Sequence, residues 1–149
     1  MLFRSPVVHQ TDPDFEIGRA IPMRDGKDVC LLSAGNMLPA ALETAALLAA
    51  NDISAKVMSF HTIKPLDETS LANAFANFKL VVTMEEHSIL GGLGGSVAEW
   101  LSTCATVKAK LIRCGTPDEF LHETAEQEDA RESVGLTAAA MAERIKAQL

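Results

Sequence analysis

Hydrophobic and polar positions fall along this chain in blocks that alternate between strand-like and helix-like spacing. The run Val29-Cys30-Leu31-Leu32-Ser33-Ala34 is almost continuously apolar, as a strand covered on both faces should be. Gly35-Asn36 then opens a helix to about Asn51, its apolar side built from Leu38, Leu42, Ala45 and Leu48 or Ala49. Ala55 to Phe60 predicts the next strand. Pro65 breaks the following loop, and Asp67 is placed to cap a helix with Leu71, Ala74, Phe75 and Phe78 on one face. Leu80 to Met84 predicts a strand that ends before Glu85-Glu86-His87 and a glycine-rich turn. The helix beyond it carries Leu93, Val97, Trp100, Leu101 and Cys104 on one side. Lys108 to Arg113 predicts a further strand, whose lysines suit an edge because charge discourages pairing with other chains.

Thr116-Pro117-Asp118-Glu119 supplies a cap, a proline at the first helical position and a glutamate at the third, which predicts a short helix. Residues 122–132 are mostly polar and are expected to be half irregular. Gly135-Leu136-Thr137 leads into a last helix packing through Met141, Ile145 and Leu149. Upstream, residues 1–17 contain Ser5-Pro6 and Asp12-Pro13-Asp14 without periodicity and predict an extended lead-in, leaving 18–149 as the domain. Gly18 to Met23 predicts a short first strand. The Asp25-Gly26 pair after it is a hairpin signal, so this strand is expected to lie antiparallel to the next. Strand–helix alternation otherwise demands parallel strands with right-handed crossovers and helices on both faces. The fold class expected is therefore a three-layer α/β/α sandwich on a mixed five-stranded sheet, four strands parallel and one antiparallel.

At 149 residues the chain is long enough to bury a single core. A formal charge of −7 argues against a nucleic-acid partner, which usually leaves a basic face. No apolar run of membrane-spanning length occurs, and residues 1–10 lack the apolar stretch of a signal peptide, so a cytoplasmic location is expected. Cys30, Cys104 and Cys114 show no zinc spacing and read as reduced thiols, with Cys114, at a strand end beside Gly115, the one to test for reactivity.

Candidate chemistry concentrates in the loops at the carboxyl ends of the strands, the usable edge of a parallel sheet. These are Gly35-Asn36, residues 61–65, Glu85-Glu86-His87 and residues 114–116. Gly91, Gly92, Gly94 and Gly95 before a helix invite a dinucleotide reading. The match is poor: about seven residues separate the strand from Gly92, Val97 stands at the third glycine position, and no Gly-Lys-Ser/Thr makes a P-loop. The glycines read better as permitting close backbone packing. Glu85, Glu86 and His87 are types that serve general acid–base or metal-binding roles. Neighbours in an extended chain point to opposite sides, however, so at most two share one site without help from His61. The alternative is a hydrogen-bonded cluster at a domain or subunit boundary. His61 and Lys64 form either a polar loop or an anion contact.

Three segments together carry a family resemblance: Asp28-Val29-x-Leu31-Leu32-Ser33-x-Gly35-x-Met37, His61-Thr62-Ile63-Lys64-Pro65-Leu66-Asp67 and Glu85-Glu86-His87-x-x-x-Gly91-Gly92-x-Gly94. This ordered set resembles the C-terminal domain of transketolases, and residues 14–20 and 135–137 are similar to its split-subunit type. The resemblance implies a mixed five-stranded sheet and a parent enzyme dependent on thiamine diphosphate and Mg²⁺, whose other two domains hold the cofactor. It implies that the parent transfers a two-carbon ketol unit between sugar phosphates. For this chain it implies no catalytic, cofactor-binding or metal-binding residue, and inactivity when isolated. Its partners would be the remaining transketolase domains or an N-terminal subunit, in a homodimer, with His61, Lys64, Glu85, Glu86, His87, Gly91, Gly92, Gly94 and Gly95 as candidate contacts. The same domain closes deoxyxylulose-phosphate synthases and 2-oxoacid dehydrogenase β subunits, which stand as alternatives. A free-standing module that binds an anion or small ligand is an alternative of another class.

Overall fold

A computed structural model describes residues 6–105, 107–120 and 126–149 of the protein. Five strands, β1 (Ile21–Arg24), β2 (Val29–Ser33), β3 (Ala55–Ser59), β4 (Leu80–Ser88) and β5 (Lys110–Thr116), form one sheet in the order β1-β3-β2-β4-β5. β2, β3, β4 and β5 are parallel, and β1 pairs antiparallel with β3. The mixed sheet has the expected four-to-one composition, with β5 on an edge. A single 3-10 turn (Gly35–Met37) leads into α1 (Leu38–Ala49), followed by α2 (Glu68–Asn77), α3 (Leu93–Ser102), α4 (Gln127–Ser133) and α5 (Ala138–Lys146).

Both faces of the sheet are covered, because alternate residues of each central strand enter different cores. Val29 and Leu31 of β2, with Val57, Val82, Met84 and Ile112, pack against Ala41, Ala45 and Leu48 of α1 and Met141 and Ile145 of α5. Cys30 and Leu32, with Met58 and Val81, pack against Leu71 and Phe75 of α2 and Leu93 and Val97 of α3. The result is three layers. Asp67 caps α2 as expected: one carboxylate oxygen accepts from the Ser70 N–H at 2.9 Å, the other from the Ala20 N–H at 2.8 Å. That second bond ties the entry of β1 to the entry of α2.

Several local expectations are corrected. β1 does not pair with β2, because β3 lies between them. The link after β1 passes the start of β3, where the N–H groups of Lys27, Asp28 and Val29 converge on the Ser54 carbonyl. Gly26 does not take the positive φ of a two-residue hairpin. It is needed for space instead, since a Cβ there would lie 2.2 Å from the Ala55 carbonyl carbon. β4 runs on through Glu85, Glu86 and His87 rather than stopping at Met84. No helix starts at Pro117, because Thr116 is held in β5 by pairing with Ser88 and by accepting the Ile89 N–H; residues 117–120 are irregular. The expected irregular stretch at 122–132 is partly helical, as α4, while residues 121–125 lie outside the described set. In α1 it is Leu48, not Ala49, that is buried, and Leu149 lies beyond α5, exposed. Lys108 precedes β5 instead of opening it.

Candidate functional site

The parallel strands bring the 3-10 turn after β2, the 61–65 loop after β3, the end of β4 and the end of β5 to one edge. At its centre is a bulge. Met84 pairs with Cys114 and Ser88 with Thr116, so Glu85, Glu86 and His87 together stand opposite Gly115 alone. A bulge bends the strand and re-aims its side chains. Here it does so at the three residues that suggested chemistry.

Glu85 turns inward and is only 2% exposed. Its Oε2 accepts the Leu93 N–H at 2.7 Å and its Oε1 accepts the Gly94 N–H at 2.7 Å. The first turn of α3 has no side-chain cap of its own, so a carboxylate from the neighbouring strand satisfies its free donors and meets the positive end of the helix dipole. The glycines make this possible. A Cβ on Gly92 would sit 1.9 Å from Glu85 Oε2, and one on Gly94 would sit 2.8 Å from Thr83 Oγ1. Gly91 takes φ +80°, which lets the chain reverse from β4 into α3. Gly95 is buried without a close contact. An internal carboxylate thus takes the N–H groups at the start of α3 that a phosphate would need, in keeping with the poor dinucleotide match.

Glu86 points the other way. Its carboxylate accepts from Asn36 Nδ2, from Gln127 Nε2 at 2.8 Å and from Arg131 Nε at 2.8 Å. Burial opposes its ionisation, but the hydrogen bonds from Asn36, Arg131 and Gln127 and the Arg131 charge outweigh that and hold it below the ordinary carboxylate range. No residue of α4 is buried, so this contact is a principal tie between α4 and the sheet. His87 is exposed, with Nδ1 within 2.9 Å of the Ser88 carbonyl. His61 carries a ring contact with Phe15, centroids 4.3 Å apart, and shares a hydrogen bond between Nδ1 and Thr62 Oγ1 at 2.8 Å. Its Nε2 is buried with no partner among the described residues. Lys64 is exposed on the same loop.

The predicted residues therefore divide. Lys64, His87 and Gly91 are exposed at the carboxyl edge and His61 is half-buried there, Glu86 is spent within the chain, and Glu85, Gly92, Gly94 and Gly95 are withdrawn from it. Sequence reasoning missed Gln127 and Arg131, which lie in a polar segment with no periodic signal, and Asn36, noted only as an edge residue. It also missed the apolar character of this edge. Ile63, Leu90 and Phe120, from the loops after β3, β4 and β5, are exposed, and so is Phe15 on His61. Cys114 is corrected as a reactivity candidate: it is 1% exposed, and burial pushes its thiol up, against a weaker opposing effect of Arg144. Cys30 is pushed up to about 12 by burial. No group of three or more His, Cys, Asp or Glu residues converges for a metal among the described residues.

The family profile "Transketolase, C-terminal domain" matches residues 18–141. The chain is 35% identical over 141 residues to a Methanocaldococcus jannaschii protein described as a transketolase C-terminal section, covering 95% of this chain and 43% of that one. It is 40% identical over 145 residues to the 1-deoxy-D-xylulose-5-phosphate synthase of Synechocystis sp., covering 97% of this chain and 22% of the synthase. Among solved structures it is similar to a split gene transketolase described as an inactive β4 tetramer, with a TM-score of 0.85 and 36% identity over 95% of this chain and 45% of that one. The chain spans less than half the length of each of these relatives. It belongs to the transketolase C-terminal domain family.

Proposed function

We propose that this chain is the non-cofactor-binding C-terminal part of a cytoplasmic transketolase-type enzyme, one that moves a two-carbon ketol unit between sugar phosphates. Its role is to pack against the rest of that enzyme and to support its homodimer. The observation that carries this reading is the exposed apolar set Phe15, Ile63, Leu90 and Phe120, gathered at the carboxyl edge beside His61, Lys64 and His87. Exposed apolar side chains grouped with polar ones are what a docking face requires.

Thiamine diphosphate and Mg²⁺ belong to the proposed parent enzyme. The residues of this edge do not suit them. The α3 N–H groups that could meet a diphosphate are bonded to Glu85, and Glu86 is engaged by Arg131, Gln127 and Asn36. No chemical step is therefore assigned to this chain, and we expect it to be inactive alone. The solved relative described as an inactive β4 tetramer supports that expectation.

Mixing the chain with the rest of a split transketolase, its N-terminal section together with the part of the C-terminal section that this chain does not span, should give a complex in sedimentation and restore ketol transfer. Ile63→Asp and Leu90→Asp should each weaken that complex roughly tenfold, as the loss of one apolar anchor does. A complex indifferent to both substitutions would remove the edge from the interface. Titrating thiamine diphosphate and Mg²⁺ into the isolated chain should show no binding; micromolar affinity would overturn the assignment. A second reading, the C-terminal part of a deoxyxylulose-phosphate synthase, is favoured by the 40% identity to such an enzyme. Complementation with the N-terminal part of that synthase, and not of a transketolase, would select it.

A further inference from the structure

We infer that the outer side of β5 carries a separate binding site for a phosphate dianion, free or as the ester of a small polar molecule. β5 is the last strand of the sheet. Along it lies a depression of about 360 Å³ whose lining includes Ile89, Lys110, Arg113, Arg144 and Gln148 and contains no acidic residue. Three cations therefore face one hollow in a chain whose formal charge is −7.

How these cations are held is the stronger observation. Arg113 Nη1 donates to the Ile89 carbonyl oxygen at 3.0 Å, Arg144 Nη1 lies 3.8 Å from Cys114 Sγ, and Lys110 Nζ donates to Gln148 Oε1. Each partner is neutral. Among the described residues the ion pairs are Arg19–Glu16, Arg131–Glu86 and Lys146–Glu143, none of which involves these three cations. They are positioned without being neutralised. They also come from both sides of the sheet: Arg113 packs where a Cβ on Gly94 of α3 would meet its Cγ at 3.0 Å, and Arg144 belongs to α5.

The chemistry favours phosphate. A guanidinium carries five donors in a planar fork, and each arginine has so far committed one nitrogen, leaving donors free to take phosphate oxygens in pairs. The hollow is within the size range of small-ligand pockets. Protection of an edge strand accounts for a lysine at position 110. It does not account for Arg144, which comes from α5 to lie beside Arg113 of the strand. This site is independent of the docking role proposed for the carboxyl edge.

Calorimetric titration of the full chain at low ionic strength, with inorganic phosphate, glycerol 3-phosphate and glycerol, tests it. Saturable one-site binding of the two phosphates is expected, weakening roughly tenfold between about 20 and 200 mM salt as screening requires. Arg144→Gln and Lys110→Gln, both at exposed positions, should each weaken it roughly fivefold, the order of one charge-assisted contact, and Lys64→Gln should not change it. Tighter binding of glycerol 3-phosphate identifies an ester site, and equal binding a site for free phosphate; either outcome supports the inference. Absence of saturation, equal binding of glycerol, or affinity indifferent to both substitutions would overturn it.

Discussion

Glu85 and Glu86 are the same residue one position apart in β4, and the fold uses them in opposite ways. Glu85 is directed into the layer formed by α3, where two backbone N–H groups at 2.7 Å enclose its carboxylate. Glu86 is directed toward α4 and the 3-10 turn, where its partners are side chains and water is close. Strand alternation separates them, and the bulge opposite Gly115 gives both room. A buried carboxylate bonded to backbone is part of the covalent chain's own architecture, because its partners cannot move away without unwinding a helix. A surface carboxylate bonded to side chains can be released at small cost. Acidity at a strand end therefore says little about chemistry until its partners are known.

The largest effect should come from the inner member. Glu85→Ala orphans two buried N–H groups, each worth about 1–3 kcal/mol, so urea unfolding should show a loss of about 2–6 kcal/mol. Gly92→Ala should cost nearly as much, about 2–3 kcal/mol, because its Cβ would fall 1.9 Å from Glu85 Oε2 and expel the carboxylate. The two substitutions combined should cost clearly less than their sum, since with the carboxylate gone the new methyl group has nothing to displace. Additive losses would show that Gly92 is required for some reason other than Glu85.

This contrast also marks how far the sequence could be read. Apolar runs such as residues 29–34 and the helical spacing of Leu38, Ala45 and Leu48 made the layers legible, because burial on a period of two or 3.6 leaves a direct trace. Asp67 was legible as a cap because its partner is three residues away. Glu85 was not, because it caps α3 across eight or nine residues from a neighbouring strand. Two partners of Glu86 lie 41 and 45 residues on, in a helix with no buried face, and the third, Asn36, lies 50 residues back. The Asp25-Gly26 signal misled for a related reason. A local turn preference cannot reveal that a third strand will be inserted between the two it would join.

Acid should expose the outer member and Asp67 next. Burial opposes the ionisation of Asp67, but bonds from Ser70 and Ala20 and the charge of Arg19 outweigh it, so its folded carboxyl titrates below the ordinary value, as that of Glu86 does. A carboxyl depressed on folding stabilises fully above its unfolded value, near pH 4, and loses that contribution as pH falls through the folded value. Urea midpoints should therefore hold from pH 7 to about 5 and decline below about 4. Asp67→Asn and Glu86→Gln should each lower the midpoint at pH 7 and flatten the decline. An unchanged slope in Glu86→Gln would mean that α4 is held to the sheet without that charge.

The smallest effect is the pairwise energy between Glu86 and Arg131. Both side chains are between a fifth and a third exposed, at 28% and 21%, and a pair of that exposure contributes about 0.2–1 kcal/mol. A double-mutant cycle with Glu86→Gln and Arg131→Gln should return a coupling in that range and shrink further at high salt. Global stability is the less sensitive measure, because α4 buries nothing and can detach by itself. Amide exchange should show this: in Arg131→Gln the N–H groups of α4 exchange faster while those of β4 and α3 keep their protection. Were β4 to lose protection as well, the outer carboxylate would be coupled to the inner one, and the division drawn between them would fail.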